Sequence, residues 1–417
     1  MTERTEFQGE LMSPKKRRYR QGVTAVAAVA LTVTAAQIAI GDESDGGGGQ
    51  DEPENAASSW QVEHYSESLD AKLTDVAPVS GTEGWAIGED SEETALAPVL
   101  LHGSGKGWKK SELPAEIEGK DTSLTGIEAS GPDNVWLFGE RADNAESAPF
   151  VYRYDGERWR KVPRPAGSAG VVSVAVVGSD DVWALHGDSA ASHWDGEGWT
   201  KTKLPADANT LGNAGADQVW AVGSQDDQKG ETLSQPAAMR WDGESWKLID
   251  TPEYRFPKPR PPEEDAYLET VVPVSENEVW ALGEHTFNHG ETTPEPDAEN
   301  ILLRWNGDKW QRMPEEATSR VGVDGIAASD GNGGLLLDDN DSWHLTKDGE
   351  VREIGEHKPV PGRTGEVREV DEKQKFWPEM MVKVPGEDKV WSAGVIELGT
   401  QGDANFRRGA VLSYATK

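Results

Sequence analysis

SDDVWALHGDSAASHWDGEGW, Ser179 to Trp199, decides the fold, because its parts return along the chain in the same order. An Asp-Val-Trp opens a hydrophobic run ending in glycine. After a gap, Trp194-Asp195-Gly196 is followed, with two residues between, by Trp199. The parts recur as NVWLFG (Asn134–Gly139) with YDGERW (Tyr154–Trp159), QVWAVG (Gln218–Gly223) with WDGESW (Trp241–Trp246), and EVWALG (Glu278–Gly283) with WNGDKW (Trp305–Trp310). Recurrence at this scale marks an architecture of equal units stacked side by side.

Leu124 to Val162 serves as the template unit. LTGIEAS is a small-residue segment, a Gly-Pro-Asp turn follows, and NVWLFGE makes the second segment. FVYRYD is the third, Asp155-Gly156 a tight turn, and RWRKV the fourth. Asp-Gly between hydrophobic runs is the strongest short hairpin signal. Four strands joined by hairpins make one blade of a β-propeller.

Tryptophans at the second-segment position (Trp85, Trp136, Trp183, Trp220, Trp280, Trp391), with Leu335 or Leu336 standing in once, count seven units. Trp108, Trp159, Trp199, Trp246 and Trp310 mark fourth segments, with Val351 in the degenerate sixth unit, and Trp194, Trp241, Trp305 and Trp343 mark third segments. Only Trp377 falls outside the slots, so the tryptophans are read as packing between blades. The last unit (WPEMMVKV, KVWSAG, GAVLSYA) has no fourth segment, while Ser58–Tyr65 looks like a fourth segment with no unit before it, Trp60 in the tryptophan slot. The two halves complete each other. The expectation is an all-β, seven-bladed propeller of four-stranded blades over residues 58–417, closed by an N-terminal strand that removes an open sheet edge.

Before the ring, residues 1–20 read as a basic cytoplasmic segment with Lys15, Lys16, Arg17, Arg18 and Arg20, and residues 21–41 as one transmembrane signal anchor. Gly22–Gly41 is free of charge, and twenty helical residues span the roughly 30 Å apolar core of a bilayer with the positive flank inside. The alternative is a cleaved signal peptide, with Ala39 and Gly41 at the small-residue positions and the body secreted. Residues 42–57, acidic and Gly-rich, form a flexible linker. The body is thus expected outside the cytoplasmic membrane.

The formal charge is −34, and residues 1–20 contribute +3, leaving −37 for the rest. Such a surface repels nucleic acid. With no cysteine there is no disulfide, thiolate metal site or cysteine nucleophile.

The slots resemble the bacterial extracytoplasmic propeller repeats of the "DVWAVG … WDGxxW" kind, which look related to Kelch/galactose-oxidase-like and sialidase-type propellers. The resemblance covers residues 58–417 and implies fold more than function. The galactose oxidase branch requires a cysteine cross-linked to a tyrosine, which this chain lacks. The sialidase Asp-box is one residue longer than Asp195–Trp199, and Arg153, Arg240 and Arg304 sit in one equivalent strand slot, not as a catalytic triad.

Per-copy insertions put the functional face where connections vary. The longest are Ser224–Pro236, Thr251–Tyr267, Glu284–Asn300 and Val395–Arg408, in blades 4, 5 and 7. Tyr254, Arg255, Phe256, Lys258 and Arg260, in a proline-stiffened loop, together with His285, His289 and Arg407, are the candidate binding residues; the plain alternative is a spacer between blades. Glu284, His285, His289 and Glu291 lie in a loop, so their spacing does not assemble a metal site. Asp330, Asn332 and Asp338, around Gly334, partly match a calcium hairpin, against a plain tight turn. GSGKG (Gly103–Gly107) lacks the Ser/Thr and following helix of a phosphate loop.

The expectation is a membrane-tethered, monomeric binding or scaffold module for a protein or glycan, without cofactor or assigned catalytic residue. The alternatives are a carbohydrate-active hydrolase or lyase built on Glu284, His285 and Glu291, and an assembly factor for a membrane complex.

Overall fold

The computed structural model describes residues 59–416 apart from 92–96, 120, 144–145, 166–169, 188, 216–217, 289–295, 323–324 and 400–404. The expected cytoplasmic segment, anchor and linker lie outside the described residues, among which no helix is long and apolar enough to cross a membrane.

The described residues form seven four-stranded antiparallel sheets, making a seven-bladed β-propeller. Blade 2 shows the plan: Thr122–Gly131 innermost, then Asn134–Asp143, Glu146–Tyr154, and Trp159–Val162 outermost, each strand pairing with the next. Blade 7 takes three strands from the C-terminal region (Lys375–Lys383, Lys389–Leu398, Phe406–Ala415) and its outer strand from the other end, Gln61–Tyr65, in register as Gln61 opposite Ser413 and Tyr65 opposite Ala410. The two incomplete halves of the sequence are one sheet.

What joins the blades is a repeated aromatic contact. Four second-strand tryptophans pack against the third- and fourth-strand rings of the next blade: Trp136 lies 6.0 Å from Trp194 and 6.2 Å from Trp199, and Trp183 lies 4.7 Å from Trp241 and 5.3 Å from Trp246. Trp220 does the same with Trp305 and Trp310, and Trp85 with Tyr154 and Trp159. Such ring pairs contribute about 0.5–1.5 kcal/mol each beyond their buried area. At the junction of blades 6 and 7 Trp60 is buried against Phe376 and Tyr414 and donates its indole N–H to Ser342 Oγ in blade 6 at 3.0 Å. Trp343 does not hold the third-strand slot. Register places Leu345 there, opposite Val351, so blade 6 makes this contact with aliphatic residues.

The arginine slot has a physical role. Directly opposite the second-strand tryptophans lie His102, Arg153, His193, Arg240 and Arg304. His102 and His193 stack on Trp85 and Trp183 at 4.2 Å, and the Arg240 and Arg304 guanidiniums sit over Trp220 and Trp280 at 5.8 and 5.1 Å. These are cross-strand stacking and cation–π pairs.

The motif glycine has a steric cause. A Cβ on Gly283 would lie 2.0 Å from the Tyr267 carbonyl oxygen, where the inner strand bulges between Leu268 and Thr270, and one on Gly88 would lie 2.0 Å from the Lys72 oxygen. In blade 3 this slot is held by His186, opposite Val171, so Gly187 is displaced by one position from the motif glycine of the other copies. We expect Gly283→Ala to destabilise the ring by about 3 kcal/mol through overpacking, and Gly187→Ala, where an added Cβ meets nothing within 4 Å, to stay within about 0.5 kcal/mol. Denaturant midpoints of the two variants check this, and equal effects would sink the steric assignment.

Candidate functional site

The second-to-third strand hairpins and the connections between blades lie on one face of the ring. Here the strands run further than the sequence suggests: Glu278–Thr286 and Glu299–Trp305 take up both ends of the blade 5 insertion, and Val219–Asp226 and Ser234–Trp241 both ends of the blade 4 insertion. The segment 251–264 crosses this face from blade 4 to blade 5 as a strap.

The strap is fastened residue by residue. Tyr254 is buried, its N–H donating to Gln235 Oε1 at 2.8 Å and its carbonyl accepting from Gln235 Nε2 at 3.1 Å, while the Arg312 guanidinium covers its ring at 3.7 Å. Arg255 forms a forked ion pair with Asp227, Nη1 to Oδ2 at 2.9 Å and Nη2 to Oδ1 at 2.7 Å. The Asp227 side chain is 2% exposed. Hydrogen bonds from Arg255, joined by the backbone N–H groups of Lys229, Glu231 and Thr232, hold the Asp227 carboxyl far below its usual range, so the pair stays ionised at all physiological pH.

Phe256 is buried face to face with His285 at 3.8 Å, and its N–H donates to Glu264 Oε1 at 2.6 Å. His285 is itself buried, with Nε2 2.9 Å from Glu264 Oε1 and Nδ1 3.1 Å from Glu299 Oε2. Arg260 bridges the strap to Glu231 at 2.9 Å and lies 3.7 Å from Glu264.

The candidate residues therefore divide. Tyr254, Arg255, Phe256, Arg260 and His285 come together, but as the fastening of the strap, their rings and charges turned inward. Lys258 and Arg407 are exposed, Lys258 reaching this network only through its charge, which helps hold the Glu231 carboxyl down, and His289 lies outside the described residues, as does Glu291. Glu284 and His285, neighbours on one strand, point to opposite faces: Glu284 accepts the Tyr267 hydroxyl at 2.8 Å while His285 faces Glu264. They do not form a convergent catalytic pair.

At the weak calcium candidate Asp330, Asn332 and Asp338, the acids are engaged in hydrogen bonds. Asp330 Oδ1 accepts the N–H groups of Asn332 and Gly334 at 2.6 and 2.8 Å, and Oδ2 lies 3.0 Å from His344 Nε2, so its lone pairs serve the turn. Asp338 sits on another strand and accepts the Ser342 hydroxyl at 3.2 Å. A cleft of about 420 Å³ opens between blades 1 and 2, but its wall of Trp85, Tyr154 and Trp159 is the aromatic junction already described.

Sequence reading missed Asp227, Gln235 and Glu264, the receptors for the strap. Their signal is faint, since a lone acid or amide in a polar loop says nothing of its partner across the fold. It also missed where apolar surface is exposed. Leu233 (57%) lies in the blade 4 hairpin, Val367 (52%) in the connection from blade 6 to 7, and Val172 (56%) and Met380 (39%) on inner strands lining the central channel.

No protein-family model and no curated protein matches the chain. Solved propellers do. YCF48 bound to a D1 peptide is 13% identical with a TM-score of 0.49, covering 86% of this chain and 97% of that one. The β-propeller domain of the Trilobed protease from Pyrococcus furiosus is 11% identical with a TM-score of 0.48, covering 81% and 97%. The WD40 propeller domain of Doa1 is 10% identical with a TM-score of 0.45, covering 84% and 96%.

Removing Asp227 leaves Arg255 charged and largely buried, with only the exposed carboxylate of Glu253 4.0 Å away. We expect Asp227→Ala to cost about 3 kcal/mol and to free the strap, so that trypsin cuts after Arg255 while the wild type resists. Mass mapping of the fragments reads this out, and equal cutting in both proteins would show that the pair does not hold the strap.

Proposed function

We propose that this chain is a binding scaffold that presents its loop face and channel mouth to a protein partner, held outside a bacterial cytoplasmic membrane by the segment 21–41. The observation that carries the reading is the placement of exposed apolar side chains. Val172, Leu233, Val367 and Met380 all lie on the loop face or the inner strands, and only Leu248 of the exposed large hydrophobics in the described residues lies on an outer strand. Exposed apolar groups on the loop face and along the inner strands, set among polar residues, fit a protein contact surface.

The strap supports the same reading. A segment fastened by a permanent ion pair loses little conformational freedom when a partner docks, so binding energy is not spent on ordering it. Its arginines already face Asp227, Glu231 and Glu264, which leaves Asp226, Asp250, Glu263 and Asp297 exposed around it. The partner surface that complements this rim is basic. Export rests on the charge-free stretch Gly22–Gly41 behind its basic flank.

The test is crosslinking and affinity capture from host membranes with the tagged full chain. Leu233→Asp combined with Val367→Asp should reduce capture at least tenfold, and Leu248→Asp, on the outer strand, should leave it unchanged. Equal capture by all three proteins removes the loop face from the reading. Capture of a glycan in place of a protein would replace the partner class.

A further inference from the structure

An outer strand ends its blade at an open edge, with backbone groups turned to solvent. In this ring the charge on those edges is uneven. Residues 106–110, 158–164 and 199–203 hold the outer strands Gly107–Lys110, Trp159–Val162 and Trp199–Lys203 of blades 1, 2 and 3. They carry nine Lys or Arg and no Asp or Glu, in a chain of formal charge −34. The outer strands of blades 4 to 7 carry one Lys or Arg each at most, and it is engaged: Lys247 lies 3.4 Å from Asp242, Arg352 pairs with Glu350, and Arg312 covers the Tyr254 ring. Guarding an edge against stray strand pairing therefore does not account for the excess in blades 1 to 3.

The excess is also left without counterions. Arg160 pairs with Asp155 and Lys161 with Glu116. Lys106, Lys109, Lys110, Arg158, Arg164 and Lys203 are exposed and take no acid partner among the described residues, although the chain holds 75 acids to 41 bases. The three strands follow one another along the circumference. Lys161 of blade 2 reaches Glu116 in the connection from blade 1 at 2.9 Å, and the Trp199 indole of blade 3 donates to the Pro163 carbonyl beyond the outer strand of blade 2 at 2.6 Å. The result is a basic belt around three of the seven blades. Between blades 1 and 2 the belt opens into the cleft of about 420 Å³, where Arg158, Ser111, Glu112 and Glu157 stand beside Tyr154 and Trp159.

We propose that this belt binds a linear anionic glycan, its carboxylate or phosphate groups meeting the unpaired cations and one of its sugar rings lying in the cleft. The surface is separate from the loop face and does not rest on the reading given for that face. A strip of charge favours a thread over a plane. A flat anionic membrane meets a convex circumference at one blade at a time and brings the rest of an acidic body close to itself, whereas a chain one sugar wide follows all three blades. Salt screens charges beyond about 8 Å at physiological ionic strength, so such a chain senses the belt it lies on more than the acids elsewhere on the ring.

The cleft selects the class of thread. Its volume falls within the roughly 300–1,000 Å³ of ligand sites. Tyr154 and Trp159 are half-buried and offer the C–H face of a sugar ring the aromatic surface that Trp85 does not cover. Glu112 and Glu157 are exposed acceptors, and the Ser111 hydroxyl both donates and accepts. Sugar hydroxyls supply donors to all three. A nucleic acid strand brings a phosphate with every nucleotide, an acceptor without a proton to give, and the two carboxylates repel it.

The test is titration calorimetry of the full chain in neutral detergent with polygalacturonate, a carboxylate glycan, with phosphomannan, a phosphate one, and with uncharged dextran. The wild type should bind one or both anionic glycans, at least tenfold more weakly in high salt than in low, and should not bind dextran. Which of the two binds tells carboxylate from phosphate. Lys109→Ala, Lys110→Ala, Arg158→Ala and Lys203→Ala together should weaken binding at least tenfold and leave the denaturant midpoint unchanged, because none of the four has an acid partner to lose. Lys309→Ala, Lys347→Ala, Lys358→Ala and Lys373→Ala remove the same charge outside the belt and should change binding less than twofold; the basic N-terminal segment is common to all three proteins. No binding of either anionic glycan by the wild type, or equal loss in the two variants, overturns the belt. Tighter binding of an oligodeoxythymidylate of equal charge overturns the glycan. Capture through Leu233 and Val367 should be untouched in the belt variant, so the two surfaces stand or fall separately.

Discussion

The ring depends on one contact, a second-strand tryptophan laid against the outer ring pair of the next blade. Sheets packed face to face have no intrinsic preference for how many meet around an axis. A bulky, flat group at one fixed height sets the wedge between neighbours, and repetition of the same group sets the same wedge. The rest follows from this spacing: the channel, the alignment of inner-strand slots, and the placing of variable hairpins on one side. Where the tryptophan is missing, as at Leu336 in blade 6, the junction is filled by Trp60 from the far end of the chain, packed with blade 7 residues and tied to Ser342.

Blade count, strand order and closure were legible in the sequence because each rests on a local pattern repeated many times. Asp-Gly turns and tryptophan spacing err independently, so seven copies correct one another. The failures were single-copy errors of one or two residues: Trp343 set in the slot that Leu345 holds, and Gly187 equated with a glycine that blade 3 lacks. Both arose where a copy departs from its neighbours, and register, which depends on hydrogen bonds between strands, is what resolves them.

The candidate site was legible in membership and illegible in orientation. Tyr254, Arg255, Phe256, Arg260 and His285 do gather, yet aromatic and basic residues in a proline-rich loop serve equally to reach outward or to clamp inward. The choice is made by Asp227, Gln235 and Glu264, which lie up to 28 residues away in sequence. The basic belt was hidden for the opposite reason. Its cations stood in plain view in the fourth segments, and only comparison of all seven shows that the excess falls on three adjacent blades.

Closure by Gln61–Tyr65 also imposes an order on assembly. The hydroxyl of Ser413 donates to Glu63 across 350 positions of sequence, so the seventh sheet cannot be completed until nearly the whole chain has emerged. Six blades can zip up locally as the chain is made, each from contacts between near neighbours. The strand made first must wait, unpaired, for a partner made last, and folding ends with a long-range search of the kind that slows β-rich proteins. Through that interval the nascent ring is an open arc whose two ends are its most adhesive surfaces.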